Sequence, residues 1–224
     1  ETPAARSAVD ATRGMIQTFN GKPIGAFYTG NCGGYTTRSG DLWGFDLPYL
    51  QAVPDILLPR TEGASPFSPQ QLWSWLASRP RTYSSHPQYS ARTHYRWTHW
   101  VAAQEIENRL HLEEKLGRID SILVISRGVN GTASKVLIRG TSGECTVSGD
   151  SIRGKLGGLR GNLFVVEPKM GSGGRPEFFI FTGGGWGHGI GMCQSGAAGM
   201  AADGYTFQEI LRHYYPGTKT TRLY

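Results

Sequence analysis

The chain has 224 residues, a formal net charge of +6, 38% hydrophobic residues and 18% charged residues. This length suits one large domain or two small ones, and six Trp and ten Tyr argue against a disordered chain. No run approaches the ~18 apolar residues that a membrane-spanning helix needs. The modest positive charge suits an acidic polymer such as bacterial cell wall or nucleic acid. Because the sequence carries no zinc-finger, helix-turn-helix or RNA-binding signature, we expect no nucleic-acid partner.

Glycines mark two predicted turns in the N-terminal region. Segment 8–20 ends in Asn20-Gly21, a dipeptide typical of tight hairpin turns, and 23–28 is interpreted as the partner strand. That run opens directly into 31–37 (NCGGYTT), where two adjacent glycines after a strand predict a tightly turned backbone.

Two helices are predicted in the middle of the chain. Ser68 as N-cap and Pro69 at the first helical position indicate a short helix over 68–76. A loosely helical spacing of apolar residues predicts a second helix over 100–115, and Gly117 is expected to end it.

From residue 119 onwards the sequence consists of short apolar runs separated by turn residues, a pattern that predicts an antiparallel β region. The expected strands include 122–125, 135–138, 145–147, 162–166 and 178–181, with a loop tip at 171–174. Two more helices are predicted over 195–202 and 206–214. With no firm linker, the sequence favours one α+β domain over 1–224, with short helices and glycine-rich loops that form a groove.

The densest glycine segment, 183–194, surrounds Trp186, His188 and Cys193. Glycine at this density lets backbone groups approach a ligand closely, although a plain turn around a packed histidine would explain it too. If this segment meets 31–37 in space, they form a groove floored by backbone. His188, Cys32, Cys193 and Thr36 would then line its wall.

Three chemistries remain open for the cysteines near that groove. Cys32 or Cys193 could act as a nucleophile with His188 as base, but their spacing matches no thiol-enzyme signature. Zinc would accept Cys32, His188 and Cys193 as ligands, but no C-x-x-C or H-x-x-x-H spacing is present, so we expect no cofactor. A Cys32–Cys193 disulfide that ties the two loops is favoured, and Cys145 is expected to be a buried small hydrophobe.

No pair of carboxylates indicates ordinary glycosidase chemistry. The available acids show no context that separates a catalytic acid from a solvated one: Asp41, Asp46, Asp55, Glu105 and Glu107. A set of aromatic side chains could stack on sugar rings but is more typical of a core: Trp43, Tyr49, Trp73, Trp75, Trp97 and Trp100.

Residues 185–201 (GWGHGIGMCQSGAAGMA) strongly resemble the signature of the SpoIID/LytB domain family. Segments 8–14 (AVDATRG) and 32–36 (CGGYT) resemble the family's hairpin opening and its Ser/Cys-Gly-Gly-x-Thr loop. Segment 209–218 (EILRHYYPGT) resembles its closing helix, and 48–53 (PYLQAV) also fits. The resemblance runs essentially end to end.

The resemblance implies binding of peptidoglycan glycan strands and their cleavage, as by a lytic transglycosylase that acts on strands stripped of stem peptides. The alternative that it implies is a non-catalytic wall-binding module that enhances an amidase. Either role would place the protein outside the cytoplasm, in the cell envelope. The implied substrate-binding residues are Gly33, Gly34, Tyr35, Thr36, Trp186, His188 and Gln194.

One departure from the family concerns catalysis. Members carry the general acid/base glutamate on a helix upstream of the segment that 8–14 resembles, and we expect this chain to lack that helix. The catalytic residue is therefore unknown, and the partner is expected to be glycan together with an amidase or an N-terminal segment of the same protein. Some members bind zinc through a His and two Cys, with a spacing that this sequence does not reproduce.

Overall fold

The computed structural model describes residues 2–56, 67–110 and 116–224. Small sheets and short helices alternate along them, which confirms the predicted α+β class. The helices are α1 Pro3–Ala11, α2 Ser39–Trp43, α3 Pro69–Ala77, α4 Arg92–Tyr95, α5 Ala103–Leu110, α6 Ser151–Lys155, α7 Gln194–Ala202 and α8 Phe207–Tyr214. The strands are β1 Met15–Phe19, β2 Lys22–Pro23, β3 Tyr28–Thr29, β4 Arg96–Ala102, β5 Ile119–Arg127, β6 Ala133–Gly140, β7 Gly143–Ser148, β8 Leu163–Met170, β9 Pro176–Gly184, β10 Met192–Cys193 and β11 Lys219–Arg222.

Two antiparallel three-stranded sheets form the half of the molecule that the sequence predicts best. Their strand orders are β4-β9-β8 and β5-β6-β7. Strands β5 to β9 contain all five predicted β segments, except that β8 begins one residue later, at Leu163. The glycine-rich tip is also confirmed, because Gly171 N–H donates to the Arg175 carbonyl at 2.8 Å between β8 and β9.

The larger hydrophobic core contains residues of these two sheets and of helices α5 and α6. It includes the fully buried aromatic rings of Phe164, Phe179 and Phe181. Trp97 on β4 belongs to the same core, and its indole N–H donates to the Gly185 carbonyl at 2.8 Å. A side chain rooted in the core thus fixes the backbone of the second glycine-rich loop. Cys145 packs against this core but is only half-buried.

A second core lies beneath the two glycine-rich loops. Helices α7 and α8 contribute Met200, Ile210 and Tyr214, and the loops contribute Cys32, Ile190 and others. Both helices were predicted, and α8 begins with a capping box in which Thr206 and Glu209 satisfy each other's backbone N–H groups.

The N-terminal hairpin prediction needs correction. Residues 3–11 form helix α1, because the Thr2 side chain accepts from Ala5 N–H as its N-cap and Pro3 provides a favourable first residue. Asn20 and Gly21 do turn the chain, with φ of 49° and 75°. Only Lys22–Pro23 then returns along β1, and β3 instead pairs in parallel with β10.

The helix predicted over 100–115 begins later than expected. Trp100 and Val101 belong to β4, which pairs with β9 over its whole length, and α5 starts at Ala103. Residues 96–102 combine aromatic and β-branched side chains, which favour a strand. Residues 111–115 lie outside the described residues, and Gly117 follows with a φ of +67°, as a helix stop requires.

Every helix in the described part of the chain falls short of the length and apolar character that a bilayer crossing requires.

The N-cap assigned to helix α3 can be tested by mutation. Ser68 and Gln71 form a reciprocal capping box, with Ser68 Oγ accepting from Gln71 N–H at 3.2 Å. We expect Ser68→Ala to lower the free energy of unfolding by about 0.5–2 kcal/mol, measured by urea denaturation. Ser74→Ala, at an exposed position inside the same helix, is the matched control and should have no destabilising effect. Equal losses in both variants would contradict the assigned cap.

Candidate functional site

The two glycine-rich segments meet along their backbones, so the condition for the groove that the family resemblance implies is fulfilled. Trp186 N–H donates to the Asn31 carbonyl at 2.7 Å, and Asn31 N–H returns a bond to the Trp186 carbonyl at 3.1 Å. Further along, Thr37 N–H donates to the Gly189 carbonyl at 2.8 Å. Residues 31–37 and 186–190 therefore lie side by side, and the floor between them is formed by their backbones.

This approach requires glycine at particular positions. Gly33 and Gly185 have φ of +71° and +84°, in the left-handed region that L side chains rarely adopt. A Cβ on Gly33 would lie 2.9 Å from Gly185 N, and one on Gly185 would lie 2.8 Å from the Asn31 carbonyl oxygen. The two backbones are therefore closer than any side chain between them would permit.

Two further loops, around residues 128–132 and 160–162, complete the cleft. Asn130 Nδ2 donates to the Thr36 carbonyl at 3.0 Å, and the Thr37 and Thr132 hydroxyls are 3.0 Å apart. Gly187 N–H donates to the Arg160 carbonyl at 2.8 Å. Sequence reasoning missed these loops; the Asn130-Gly131 turn signal was available, but it carried no indication of a site.

A shallow, narrow pocket lies where the four loops meet. Its lining is mostly backbone and small polar side chains: Asn31, Cys32, Thr37, Thr132, Gly161, Asn162, Leu163, Gly184, Gly185, Gly187, His188 and Gly189. A lining of this kind offers hydrogen-bond donors and acceptors at fixed positions rather than an apolar cavity.

His188 lies at the edge of this pocket and is half-buried. Its Nδ1 accepts from Ile190 N–H at 2.9 Å, and its ring centroid is 5.1 Å from that of Trp43. Burial lowers the pKa of His188, and the nearby Arg153 charge acts in the same direction while Asp150 opposes it. We infer that His188 acts at neutral pH as an uncharged hydrogen-bonding group.

Not every predicted binding residue faces the cleft. Trp186 is 42% exposed, and Gln194 is exposed at the start of α7. Tyr35 instead packs edge-to-face against Trp75, at 5.4 Å. Thr36 is fully buried, and its hydroxyl donates to the Gln51 carbonyl at 2.8 Å. Tyr35 and Thr36 therefore support the loop from behind, whereas Trp186, His188 and Gln194 remain available to a ligand.

Arg96 supports the loop from below. It is buried at 5% exposure and stacks 4.0 Å from the centre of the Tyr95 ring. Its guanidinium donates to the Gly33 carbonyl at 3.0 Å and to the Ser78 carbonyl at 3.1 Å. Backbone carbonyls thus satisfy this buried cation and fix the turn at Gly33.

Cys32 and Cys193 lie together beneath the loops as free thiols. Cys32 N–H donates to Cys193 Sγ at 3.2 Å, and both sulfurs and an Asp55 carboxylate oxygen lie within 4.8 Å of one another. Burial raises the pKa of the Cys32 thiol well above its usual value, and Cys193 and Asp55 raise it further. A protonated, buried thiol is a poor nucleophile, which argues against thiol catalysis.

The structure separates His188 from the other expected zinc ligands. In the described residues, the group that joins the two sulfurs is Asp55 rather than His188. Two cysteines and a carboxylate are acceptable zinc donors. However, Cys193 already accepts from two backbone N–H groups and Asp55 from Ser84 N–H and the Tyr214 hydroxyl. Protein hydrogen bonds therefore already satisfy these groups.

Asp55 is a structural acid. It is fully buried, Ser84 N–H donates to its Oδ2 at 2.7 Å, and the Tyr214 hydroxyl donates to its Oδ1. Burial raises the pKa of Asp55, and these hydrogen bonds partly oppose the shift. Its carboxylate therefore joins Ser84 to Tyr214 on α8, its backbone N–H donates to the Gly34 carbonyl at 2.9 Å, and it does not line the pocket.

The other four acids named from the sequence are also engaged away from the pocket. Glu107 accepts from Ile119 N–H at 2.8 Å, and Glu105 pairs with Arg109 at 2.9 Å. Asp41 and Asp46 both lie 3.7 Å from Arg38. None of them lines the pocket.

A family described as "Domain of unknown function (DUF8618)" matches residues 39–191, about two thirds of the chain. The chain belongs to this family. It is also 29% identical to an amidase enhancer of Bacillus subtilis (strain 168), with 96% of this chain and 32% of the relative aligned. Identity to stage II sporulation protein D is 27% for B. subtilis (strain 168), over 95% of this chain and 49% of the relative. For Bacillus amyloliquefaciens it is 29%, over 94% and 49%.

These relatives confirm the resemblance to the SpoIID/LytB family. Because the chain spans a third to a half of their lengths, the similarity concerns one part of longer proteins. The segments that carry the resemblance, 32–36 and 185–201, are the two loops that the structure brings together.

The close approach of the loops predicts a strong effect of one added methyl group. Gly185→Ala should lower the free energy of unfolding by at least about 1–2 kcal/mol, because alanine is strained at a φ of +84° and its Cβ would clash with the Asn31 carbonyl. Gly173→Ala, where a Cβ meets nothing within 4 Å, is the control and should stay within about 0.5 kcal/mol of the parent. Thermal and urea unfolding measure both, and equal stability of the two variants would refute the assigned loop contact.

The Cys32–Cys193 disulfide stays a prediction. Because burial keeps Cys32 protonated in the folded protein, we expect the bond to form during refolding, with oxidised glutathione accepting the two electrons and two hydrogens. Peptide mapping without reduction should then link the Cys32 and Cys193 peptides, while Cys145 is alkylated by iodoacetamide as an internal control. Alkylation of all three cysteines after such refolding would show that the pair stays reduced.

Proposed function

We propose that this chain binds the glycan strands of bacterial peptidoglycan in the cleft between its glycine-rich loops and thereby serves cell-wall remodelling. The observation that carries the proposal is the character of the cleft: fixed backbone polar groups beside an uncharged His188 and a row of aromatic rings. Sugars are recognised by such hydrogen-bonding groups together with flat apolar surfaces. The names of the relatives, an amidase enhancer and stage II sporulation proteins D, support the same setting.

The aromatic edge of the cleft supplies the flat surface. Trp43 contacts His188, and its ring centroid is 4.8 Å from that of Phe27 and 5.8 Å from that of Phe45. Phe27 and Phe45 are 42% and 52% exposed. Exposed aromatic rings that are grouped beside a polar cleft are more typical of a binding site than of an ordinary protein surface.

Within the whole protein, we propose that this cleft serves cleavage of the strand by a lytic transglycosylase reaction. A carboxylic acid would protonate the glycosidic oxygen as its bond to C1 breaks. The resulting carboxylate would then take the proton of the sugar's C6 hydroxyl, whose oxygen closes on C1 to give a 1,6-anhydro product. One acid suffices here, whereas ordinary glycosidases use two.

The described residues offer no acid for that role at the cleft. The acids named from the sequence are committed elsewhere, and Asp150, which lies near His188, is held by two bonds from Arg153 at 2.9 and 2.8 Å. Helix α1 carries only Asp10, which is exposed, and no glutamate. We therefore assign the proton-donating carboxyl group to a part of the whole protein outside the described residues.

Because the described residues offer no catalytic acid at the cleft, a second candidate function is also favoured. A cleft without a catalytic acid would make a binding module that holds the wall while a cell-wall amidase acts on it, in keeping with the name of the B. subtilis amidase enhancer. Both candidates place the protein on the extracytoplasmic side, where peptidoglycan is found.

Tryptophan variants test glycan binding. We expect Trp43→Ala to weaken binding to insoluble peptidoglycan by roughly ten- to thirty-fold, the loss of about 1.4–2 kcal/mol, because it removes an aromatic surface beside His188. Trp100→Ala, which removes an equally large and 54% exposed side chain from the outer face of β4, is the control and should bind normally. Sedimentation of protein with purified wall measures both, and failure of the parent chain to sediment would refute the proposed function.

Digestion of denuded strands by the full-length protein separates the two candidates. Release of 1,6-anhydro sugars supports cleavage. Binding without sugar products, joined to faster release of stem peptides by an added amidase, supports the binding module.

A further inference from the structure

In the described part of the chain, Arg160 has no acidic partner, and it lies beside the cleft, next to the pocket-lining Gly161. Its guanidinium lies 5.0 Å above the centre of the exposed Trp186 ring, and its Nη1 donates to the Thr93 carbonyl at 2.5 Å. In the described parts of the chain, no carboxylate lies within ion-pair distance of Arg160, and that bond is the only one its guanidinium makes. An arginine side chain carries five N–H donors, so most of them face solvent or a ligand.

The position of Arg160 is set by the same backbone pairing that forms the pocket. Its carbonyl accepts from Gly187 N–H at 2.8 Å, and the next residue, Gly161, lines the pocket. The side chain is half-buried and held on one side by Trp186 and on the other by Thr93. An arginine restrained in this way loses less conformational entropy on binding than a free surface arginine.

His94 adds a second donor at the same corner. Its ring centroid is 4.1 Å from that of Trp186, and the side chain is half-buried. Arg160, His94 and Trp186 thus form one group, in which an aromatic ring is flanked by two side chains able to donate hydrogen bonds.

The surroundings of His188 differ from those of Arg160. Near His188, Arg153 is engaged by both oxygens of Asp150, so its charge is compensated, and His188 is uncharged at neutral pH. Trp186 and His188 are two residues apart, so their Cα atoms are separated by at most ~7 Å. The cleft therefore presents a cationic corner beside a neutral, aromatic one within a short distance.

A peptidoglycan strand has a matching asymmetry. It alternates a neutral sugar with muramic acid, whose lactyl group ends in a carboxylate when the stem peptide is absent and in an amide when the peptide is attached. We propose that Arg160, assisted by His94, binds the free lactyl carboxylate of muramic acid while the neighbouring neutral sugar lies against His188 and Trp43. Arginine suits this role because its planar fork matches a carboxylate with two parallel hydrogen bonds. This inference rests on the proposed function. A subsite for the free carboxylate would explain how the protein selects strands that lack stem peptides.

The test compares two ligands that differ only at this group: denuded strands, free of teichoic acid, and the same strands with their carboxylates converted to amides. For the parent chain we expect about ten- to hundred-fold tighter binding of the carboxylate form. Arg160→Gln should lower that preference to about one while binding of the amidated strands is unchanged. Arg160→Lys should keep a partial preference, because lysine retains the charge but not the fork. Arg139→Gln, at an exposed arginine paired with Glu144, is the control and should behave as the parent.

The outcomes of this experiment distinguish a failure of this inference from a failure of the proposed glycan binding on which it rests. Equal binding of both strands by the parent chain would overturn the carboxylate subsite and leave glycan binding in place. Absence of binding to either strand would overturn the proposed function itself. An equal loss of the preference in Arg139→Gln would show a general charge effect and overturn the assignment to Arg160. If Arg160→Gln does not fold, as judged by its melting temperature, full retention of the preference in Arg160→Lys would overturn the fork-based contact.

Discussion

The whole site depends on the direct pairing of two backbones. Asn31 and Trp186 exchange hydrogen bonds, and Gly33 and Gly185 permit an approach at which any side chain would collide. Because the floor of the cleft is backbone, its polar groups cannot rotate away as side chains do. His188 and Trp186, which we propose contact the ligand, are held on this floor, and the orientation of their side chains follows from it.

Beneath this floor, buried polar groups fix which elements meet. Asp55 accepts from the Tyr214 hydroxyl on α8 and from Ser84 N–H, and Arg96 donates to the carbonyls of Gly33 and Ser78. Each group is satisfied, and loss of any one partner would leave a buried charge or donor unpaired. Such a network specifies one arrangement of the loops more strongly than an apolar contact of the same area, because a shifted arrangement would break several bonds together.

Sequence reasoning succeeded where local signals and tertiary packing agree. The helices α3 and α8 and the strands β5 to β9 were predicted from spacing, caps and turn residues. The groove between the two glycine-rich loops was implied by the family resemblance, whereas the residues alone gave it only as a condition. Sequence reasoning failed for Trp100 and Val101, where pairing with β9 outweighs a weak helical periodicity, and for residues 3–11, where the Thr2 cap was overlooked. Asp55 could be named but not distinguished from other acids, because its burial depends on Tyr214, a residue remote in sequence. Arg160 and His94 escaped notice for the same reason.

The hydrogen bond between Tyr214 and Asp55 spans 159 positions, and β1 is completed by β11, with Met15 opposite Arg222. Residues that are far apart in the described chain are thus joined, both in the core beneath the cleft and in the sheet β11-β1-β2. During vectorial synthesis the sheets β5 to β9 can form while the 31–37 loop still lacks its partner strands and helices. Loop closure over such distances is slow compared with hairpin formation, so we expect the cleft to become ordered after the two antiparallel sheets. A partly synthesised or truncated chain would carry an intact larger core and no cleft.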